Sequence, residues 1–462
     1  MSYAARLKLR RGSQVFGEQV PVRHRPAAPE PLQGPPSLAQ VADPERLIES
    51  FKWVRQHGGP AVGTDNVKFT DIGRRDMPDL MRTLSKLLLD GDYTPGPRRR
   101  LAISKPSGGT RTLAIPDLLE RVVTRSLLVV LTPYWEKIFH PWSLGFRPRR
   151  RTWHLLLAIE QGIRDGRHVL LNVDIKQAFD NVGLNDIMKT HRRHLADANL
   201  ADLIMAILRG NANLANLNTA NIRGEAITRR GIAQGSAYSP TALNVLLHHH
   251  LDEPLIGTGN ATPWRRYADN LVYLCYETPE AQEARRQTVR LLSTIGMTLK
   301  EQLNTMVDLT QPGTFTDLLG YRLTMEGGEL QISTMPTSWD SLRLALRNCH
   351  DTDNPRVRAM ETVNGWTGYQ APGFGGTTDA TSQRIIQMAT ESGIRTIDAT
   401  AVHKAVTDAW DRWTLYRENG QLSLDDLAVA PPTADNFFSV WDPTGVVADA
   451  SLDDLGSPVP SR

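Results

Sequence analysis

The sequence predicts an α+β protein, and three observations carry that reading. Two strand signals each run into an aspartate: His168-Val169-Leu170-Leu171-Asn172-Val173-Asp174-Ile175, and Arg266-Tyr267-Ala268-Asp269-Asn270-Leu271-Val272-Tyr273. A further pair of alternating segments, 98–104 and 110–115, brackets the turn-forming Lys105-Pro106-Ser107-Gly108-Gly109. Around these strands apolar residues recur at helical spacing, most persistently beyond residue 336.

In chain order, residues 1–45 are basic, then rich in proline, glycine and glutamine, and are expected to be flexible. Leu47, Ile48, Phe51 and Val54 have helical spacing. Asp76-Met77-Pro78-Asp79 opens a second helix that Gly91 and Pro95 end. After the hairpin, Pro116-Asp117 starts a helix through Leu131, on which Arg121 and Arg125 share a side. Phe146-Arg147-Pro148-Arg149-Arg150-Arg151 is a basic run beside Trp142 and Trp153, and His154 is expected to pack or cap the helix that follows. Residues 184–210 read as one helix. Ser239-Pro240 opens another, to Leu255, whose consecutive His248, His249 and His250 cannot share one face and so argue against a metal cluster. Asn270 tolerates the positive φ of a tight turn, which puts Asp269 at a hairpin tip with its carboxylate outward. Residues 280–295 form an amphipathic helix, and Leu318-Leu319-Gly320-Tyr321 reads as strand. Helices then fill 336–417, with Trp339, Trp366, Trp410 and Trp413 as core.

Lys and Arg number 53 against 50 Asp and Glu, a net charge of +3, but the charge is unevenly placed. Arginines crowd residues 98–151, whereas Gln421–Ser461 has no Lys or Arg and many aspartates. A basic body with an acidic, disordered tail suits a nucleic-acid binder. Two cysteines, Cys275 and Cys349, exclude a disulfide framework and a zinc ribbon. With no signal-peptide core and no apolar run of membrane length, a cytoplasmic location and no membrane partner are expected.

Two carboxylates at two strand ends can hold Mg²⁺ ions that bridge a nucleophilic hydroxyl and a triphosphate, the arrangement of two-metal phosphoryl transfer. Taken singly, Asp174 or Asp269 is more often a turn residue, and an arginine run more often a solvated face. The surrounding words decide between the readings. KPSGGTRTLAIPDLLERVV (105–123), FHPWSLGFRPRRRTWH (139–154), VDIKQAFDNV (173–182), GIAQGSAYSPTALNVLLHHHLDEPL (231–255), RRYADNLVYL (265–274), LLGYRL (318–323) and VNGWTGY (363–369) stand in one order. Together they resemble the reverse transcriptases related to bacterial group II introns, over roughly residues 50–420.

The resemblance implies a right-hand polymerase: fingers and palm over 46–325, a helical, maturase-like thumb over 326–420, and flexible extensions 1–45 and 421–462. It implies Asp174 and Asp269 as catalytic carboxylates, with the Ile175 carbonyl and Asn270 completing the shell of Mg²⁺ (or Mn²⁺). Lys105, Arg111, Gln234 and Gly235 would meet the incoming dNTP, and Phe179 would stand where a ribose 2′-OH must go. Arg121, Arg125, Arg147, Arg149, Arg150 and Arg151 would contact an RNA template and a DNA or RNA primer, or a structured non-coding RNA.

This chain departs from the family in three places. Asn270 replaces the second of two adjacent aspartates, Ala233 replaces a proline, and the usual proton-donating lysine falls at Leu303 or Asn304, with Lys300 slightly early. Asn keeps an oxygen acceptor and loses the charge. Two classes of function therefore follow: an RNA-directed DNA polymerase, or a catalytically weakened, maturase-like RNA-binding protein.

Overall fold

A computed structural model describes residues 34–59, 61–104, 110–210, 230–257, 262–301, 305–351 and 354–419. Lys105, the alternative lysine register at Leu303 and Asn304, and the acidic tail lie outside the described residues.

The chain opens with helices α1 (Pro44–His57) and α2 (Met77–Leu89), then the antiparallel hairpin β1 (Arg99–Ser104) and β2 (Thr110–Ile115), in register from Arg99↔Ile115. Helix α3 (Leu118–Glu136) runs beyond its expected end and is buried along most of its length. The end of the stretch 1–45, expected to be flexible, is instead ordered. A capped turn at Leu38–Val41 buries Val41 and Ala42 fully, and Ser126 Oγ donates to the Val41 carbonyl at 2.6 Å. The capping box of Ser37 and Gln40 supplies the local order that composition hid.

Helix α4 (Thr152–Arg164) leads into β3 (Val169–Asp174). The expected single helix over 184–210 is two, α5 (Leu184–His194) and α6 (Ala198–Arg209), because Asp197 caps the second by accepting from Leu200 N–H at 3.0 Å. Helix α7 (Ser239–Leu247) passes into one π turn, His248–Asp252. Then come β4 (Trp264–Tyr267), β5 (Asn270–Cys275), α8 (Thr278–Ser293) and β6 (Met306–Asp308). Strands pair antiparallel in the order β4-β5-β3-β6.

This sheet is buried on both faces, and its two-residue period sorts side chains between two cores. Leu171, Val173, Leu271 and Tyr273 join the core made with α3, α5, α6 and α7. Leu170, Val272, Leu274 and Val307 join the core made with α4 and the C-terminal helices.

A second sheet, β7 (Thr316–Leu318), β8 (Tyr321–Glu326) and β9 (Glu329–Thr334), follows. Leu319-Gly320, expected within a strand, is instead a two-residue hairpin loop: Leu318 pairs with Tyr321, and φ is +48° and +88° at the two loop residues. The expected domain boundary at 325/326 falls inside this sheet, since β8 and β9 pair along their whole length. Helices α9 (Pro336–Asn348), α10 (Pro355–Gln370), α11 (Thr378–Glu391) and α12 (Ala399–Asn419) complete the chain. Trp339 and Trp366 pack at 4.6 Å between centroids with their rings tilted by 50°, and Trp366 Nε1 donates to the Ser338 carbonyl. The end of α12 ties back to α4: Arg417 and Arg164 both pair with the buried Glu160. The architecture is the right-hand one, with fingers, a sheet palm and a helical thumb.

Candidate active site

Antiparallel pairing of β3 with β5 sets Asp174 directly opposite Asn270. One step on, the Ile175 N–H donates to the Asp269 carbonyl at 2.9 Å. The two aspartates therefore meet at one end of the palm sheet. Pairing of Tyr267 with Asn270 leaves Ala268-Asp269 as a two-residue turn. The positive φ, expected at Asn270, falls on Ala268 at +58°, while Asn270 begins β5. An alanine there is strained by about 1–2 kcal/mol, so its surroundings must hold it.

The Asp174 side chain is 24% exposed, and its Oδ1 is buried with no hydrogen-bond partner. Burial, then the charge of Asp269, push its pKa up to about 6; Lys300, whose Nζ lies 3.8 Å from Oδ2, acts in the opposite direction. The Lys300 N–H also donates to the Asp174 carbonyl at 2.7 Å. Two crowded carboxylates with an orphaned buried oxygen fit a divalent cation, because a cation relieves their repulsion and fills the open valence. Among the described residues no three His, Cys, Asp or Glu side chains converge on one point.

A loop whose glycines permit close approach packs against the 179–182 segment that follows Asp174. Gly235, at φ +125°, lies where a Cβ would meet the Ala114 carbonyl at 2.4 Å, and the Ala114 N–H donates to the Gln234 carbonyl at 2.7 Å. Gln234 Nε2 donates to Asp180 Oδ1 at 3.2 Å, and the Ile232 N–H to the Phe179 carbonyl at 2.8 Å. Phe179 is half-buried, edge-on to Phe146 at 6.4 Å. Arg111 pairs with Ile103 in the β1–β2 hairpin, three residues before Ala114. The structure thus brings Asp174, Ile175, Asp269 and Asn270 together at one end of the palm sheet, and packs the 232–235 loop against Phe179-Asp180 on one side and the fingers hairpin on the other.

Sequence reasoning missed the group beneath the turn. Arg266 on β4 is fully buried, and its five N–H donors all have acceptors. Nε and Nη2 reach the two oxygens of Asp252 at 2.8 and 2.6 Å. Nη2 also reaches Ser143 Oγ at 2.7 Å, and Nη1 reaches Asn244 Oδ1 at 2.7 Å and the Ala268 carbonyl at 3.0 Å. Burial alone would raise the Asp252 pKa; Arg266 outweighs it and holds the carboxyl below its usual range. The available signal was strand phase: Arg266 shares the inward phase of Trp264, and a charge there needs an internal partner.

Residues 103–310 match the family model for reverse transcriptase (RNA-dependent DNA polymerase). This part of the chain is a reverse transcriptase domain. Protein YkfC of Escherichia coli is 31% identical over 245 residues, 51% of this chain and 61% of that protein. The group II intron-encoded protein LtrA of Lactococcus lactis is 28% identical over 169 residues, 36% of this chain and 27% of LtrA. The putative COX1/OXI3 intron 2 protein of Saccharomyces cerevisiae is 25% identical over 211 residues, 46% of this chain and 23% of that protein. The matched part thus spans about three-fifths of the first of these relatives and about a quarter of the other two. Among solved structures, telomerase from Candida albicans in complex with a telomeric RNA fragment aligns over 71% of this chain at 11% identity, with a TM-score of 0.39.

Within the reverse transcriptase domain, the arginines expected to meet nucleic acid divide. Arg125 is buried, its guanidinium 3.9 Å over the Trp53 ring. Arg147 is buried too, bidentate to Glu136 at 2.8 and 3.0 Å and donating to the carbonyls of His140 and Ser143. Both are corrections: these side chains hold the fold and are closed to a phosphate backbone. Arg121 is spent mostly on the carbonyls of Pro116, Gly59 and Ala61. Arg149, Arg150 and Arg151 are half-buried, with Arg150 Nη1 on the Pro141 carbonyl and Arg151 5.5 Å over Trp153. His154 is buried and accepts from the Arg151 N–H at 3.0 Å, the capping role expected of it. A cleft of about 490 Å³ between α5 and α6, lined by Met188, Lys189, Arg192, Arg193, Met205 and Asn185, includes none of the catalytic-end residues. No helix among the described residues is long and apolar enough to cross a membrane.

Proposed function

We propose that this chain is an RNA-directed DNA polymerase, extending a DNA or RNA primer on an RNA template with dNTPs. The observation that carries the reading is the register that sets Asp174 opposite Asn270 and beside Asp269, with an orphaned carboxylate oxygen and a pKa pushed up to about 6. Asp174, Asp269, the Ile175 carbonyl and the Asn270 side-chain oxygen would hold Mg²⁺, or Mn²⁺ in its place. Bound there, divalent ions supply the positive charge that stabilises in-line phosphoryl transfer. The protein's own residues do the rest. Gly235 lets the backbone lie against a nucleotide, and Gln234 presents its amide beside it. Arg111 and Lys105 supply positive charge for the triphosphate. Phe179 excludes a 2′-OH by collision. Arg149, Arg150 and Arg151 give the template strand a basic edge, and the fingers, palm and thumb enclose the duplex. The domains of this reading are the body through the β7–β9 sheet, the helical thumb to 420, and extensions beyond them in the cytoplasm.

One observation favours the second reading, a maturase-like protein that binds structured RNA without copying it: Asn270 lowers the charge available to metal. Primer extension on an RNA template across Mg²⁺ and Mn²⁺ titrations decides between the two, with Asp174→Ala as the blank. Extension above that blank with either metal is the expected result. Extension no greater than the blank, with RNA binding intact, gives the protein to the second reading.

A further inference from the structure

Beneath the Ala268-Asp269 turn lies a group of polar side chains that contacts neither a nucleotide site nor solvent. Arg266 spends two donors on the Asp252 carboxylate, and the remaining three hold other parts of the hairpin's surroundings. One goes to the Ala268 carbonyl, inside the turn whose positive φ has to be enforced. One goes to Ser143, which bridges in parallel with Arg266. The last goes to Asn244, whose Nδ2 in turn donates to the Gly145 carbonyl at 2.8 Å.

Gly145 closes the arrangement: a Cβ there would meet the Ala268 nitrogen at 2.2 Å, so the 142–145 backbone lies flush against the turn. Main-chain bonds fix that backbone, Arg266 N–H to the Trp142 carbonyl at 3.0 Å and Leu144 N–H to the Arg266 carbonyl at 2.7 Å. Asp252 ends the π turn after α7. Such a turn carries one residue more than an α-helical turn, and without it Asp252 would be rotated by roughly 100° about the axis. Helix irregularity, turn strain and a buried charge pair thus converge on one dipeptide.

We infer that Arg266, with Asp252 and Asn244, is a positioning device for the metal-holding end of the palm: it sets the Ala268-Asp269 turn so that the Asp269 carboxylate faces Asp174. The inference rests on reading Asp174 and Asp269 as the metal-holding pair. A buried Arg that served stability alone needs its charge neutralised, which Asp252 does. The bonds to Ala268 and, through Asn244, to Gly145 add nothing to that neutralisation and everything to the shape of the turn.

The test compares the full chain with Arg266→Lys, Asn244→Ala, and Asp174→Ala as the reference for a lost ligand. Lys keeps the charge and loses the planar five-donor fork. Asn244→Ala leaves the Arg266–Asp252 pair in place and removes the link to Gly145. Mn²⁺ affinity is read by electron paramagnetic resonance, from the loss of free-ion signal, beside melting temperature, kcat and the KM for dNTP. Supporting groups behind metal ligands typically change affinity or activity 10–100-fold. The expected result is Mn²⁺ binding about tenfold weaker or more in both variants, and kcat lowered with KM changed by less than about twofold.

A fall in melting temperature with Mn²⁺ affinity unchanged overturns the inference and leaves a merely structural cluster. Should Arg266→Lys fail to fold, Asn244→Ala decides alone by the same criterion. Natural protein that binds Mn²⁺ no better than Asp174→Ala also overturns it. Natural protein that binds Mn²⁺ through Asp174 yet extends no primer sinks the polymerase reading, while the positioning role is still judged on binding.

Discussion

Replacing Asp174 by Asn should stabilise the metal-free protein while abolishing its chemistry. The Asp174 carboxyl is pushed up to about 6 from an ordinary 3.8, first by burial and then by Asp269. A raised acid pKa means that the folded state binds the proton more tightly than the unfolded one. Its contribution is therefore fully present below about pH 3.8 and is lost as pH rises through about 6. Two pK units correspond to about 3 kcal/mol. With the side chain 24% exposed, solvent screening reduces this to about 1–2 kcal/mol. Asn matches the size of Asp and removes the charge, so at pH 7.5 with chelator Asp174→Asn should gain about 1–2 kcal/mol, a gain that vanishes near pH 4.

Urea unfolding at several pH values, with chelator and then with saturating Mg²⁺, measures both sides. Ligand binding stabilises the natural protein by about 2.7 kcal/mol at a hundredfold excess over Kd, and the variant should lose most of that. A variant less stable than the natural protein at pH 7.5 without metal would refute the reasoning, as would a difference independent of pH. Either result would mean that Lys300 satisfies Asp174 and that the carboxylates do not repel.

Two further outcomes follow from the same site. Phe179→Ala should raise ribonucleotide incorporation relative to deoxynucleotide, by about tenfold or more if the ring is the collision that excludes the 2′-OH; an unchanged ratio in an active variant makes Phe179 a packing residue. Arg149→Gln with Arg151→Gln should lower RNA affinity and flatten the log–log salt slope by about two if each meets one phosphate, measured by fluorescence anisotropy across salt. An unchanged slope makes these side chains part of the fold, as Arg125 and Arg147 are.

The parts of this molecule that local pattern encodes were legible. Strand-favouring residues mark β3 and β5, and each strand signal includes a carboxylate that the ladder brings together, Asp174 opposite Asn270 and beside Asp269. What escaped depended on distant pairing. Arg147 reads as one more basic residue in a run, and only Glu136, eleven positions earlier on another element, turns it inward. Arg266 finds Ser143 across 123 positions and Asn244 across 22, separations that no periodicity reports. Asp252 escaped for a different reason: the π turn that aims it breaks the helical period used to place it. The positive φ of the turn was read two residues too late, because Asn is the better residue for positive φ and Ala268 adopts it under tertiary constraint.

Asn270 is best understood from its partner. It lies directly across the ladder from Asp174, and like charges directly opposed cost about 0.2–1 kcal/mol. An aspartate there would add that repulsion to a carboxyl that burial and Asp269 already push up to about 6. It would also add a charged ligand once metal binds. The substitution thus trades affinity for stability in the empty state, and Asn270→Asp should reverse both terms. Without metal the variant should unfold about 1 kcal/mol more easily at pH 7.5, a deficit that shrinks below pH 5. With metal it should bind Mg²⁺ more tightly, so primer extension should reach half-maximum at lower Mg²⁺, and the advantage of Mn²⁺ over Mg²⁺ should narrow. Urea unfolding with chelator and extension across a metal titration give the two signs independently. If Asn270→Asp slows extension at every Mg²⁺ concentration although it binds the ion more tightly, then the neutral amide is the working residue here, and its loss of charge is part of the mechanism of this chain rather than a weakening of it.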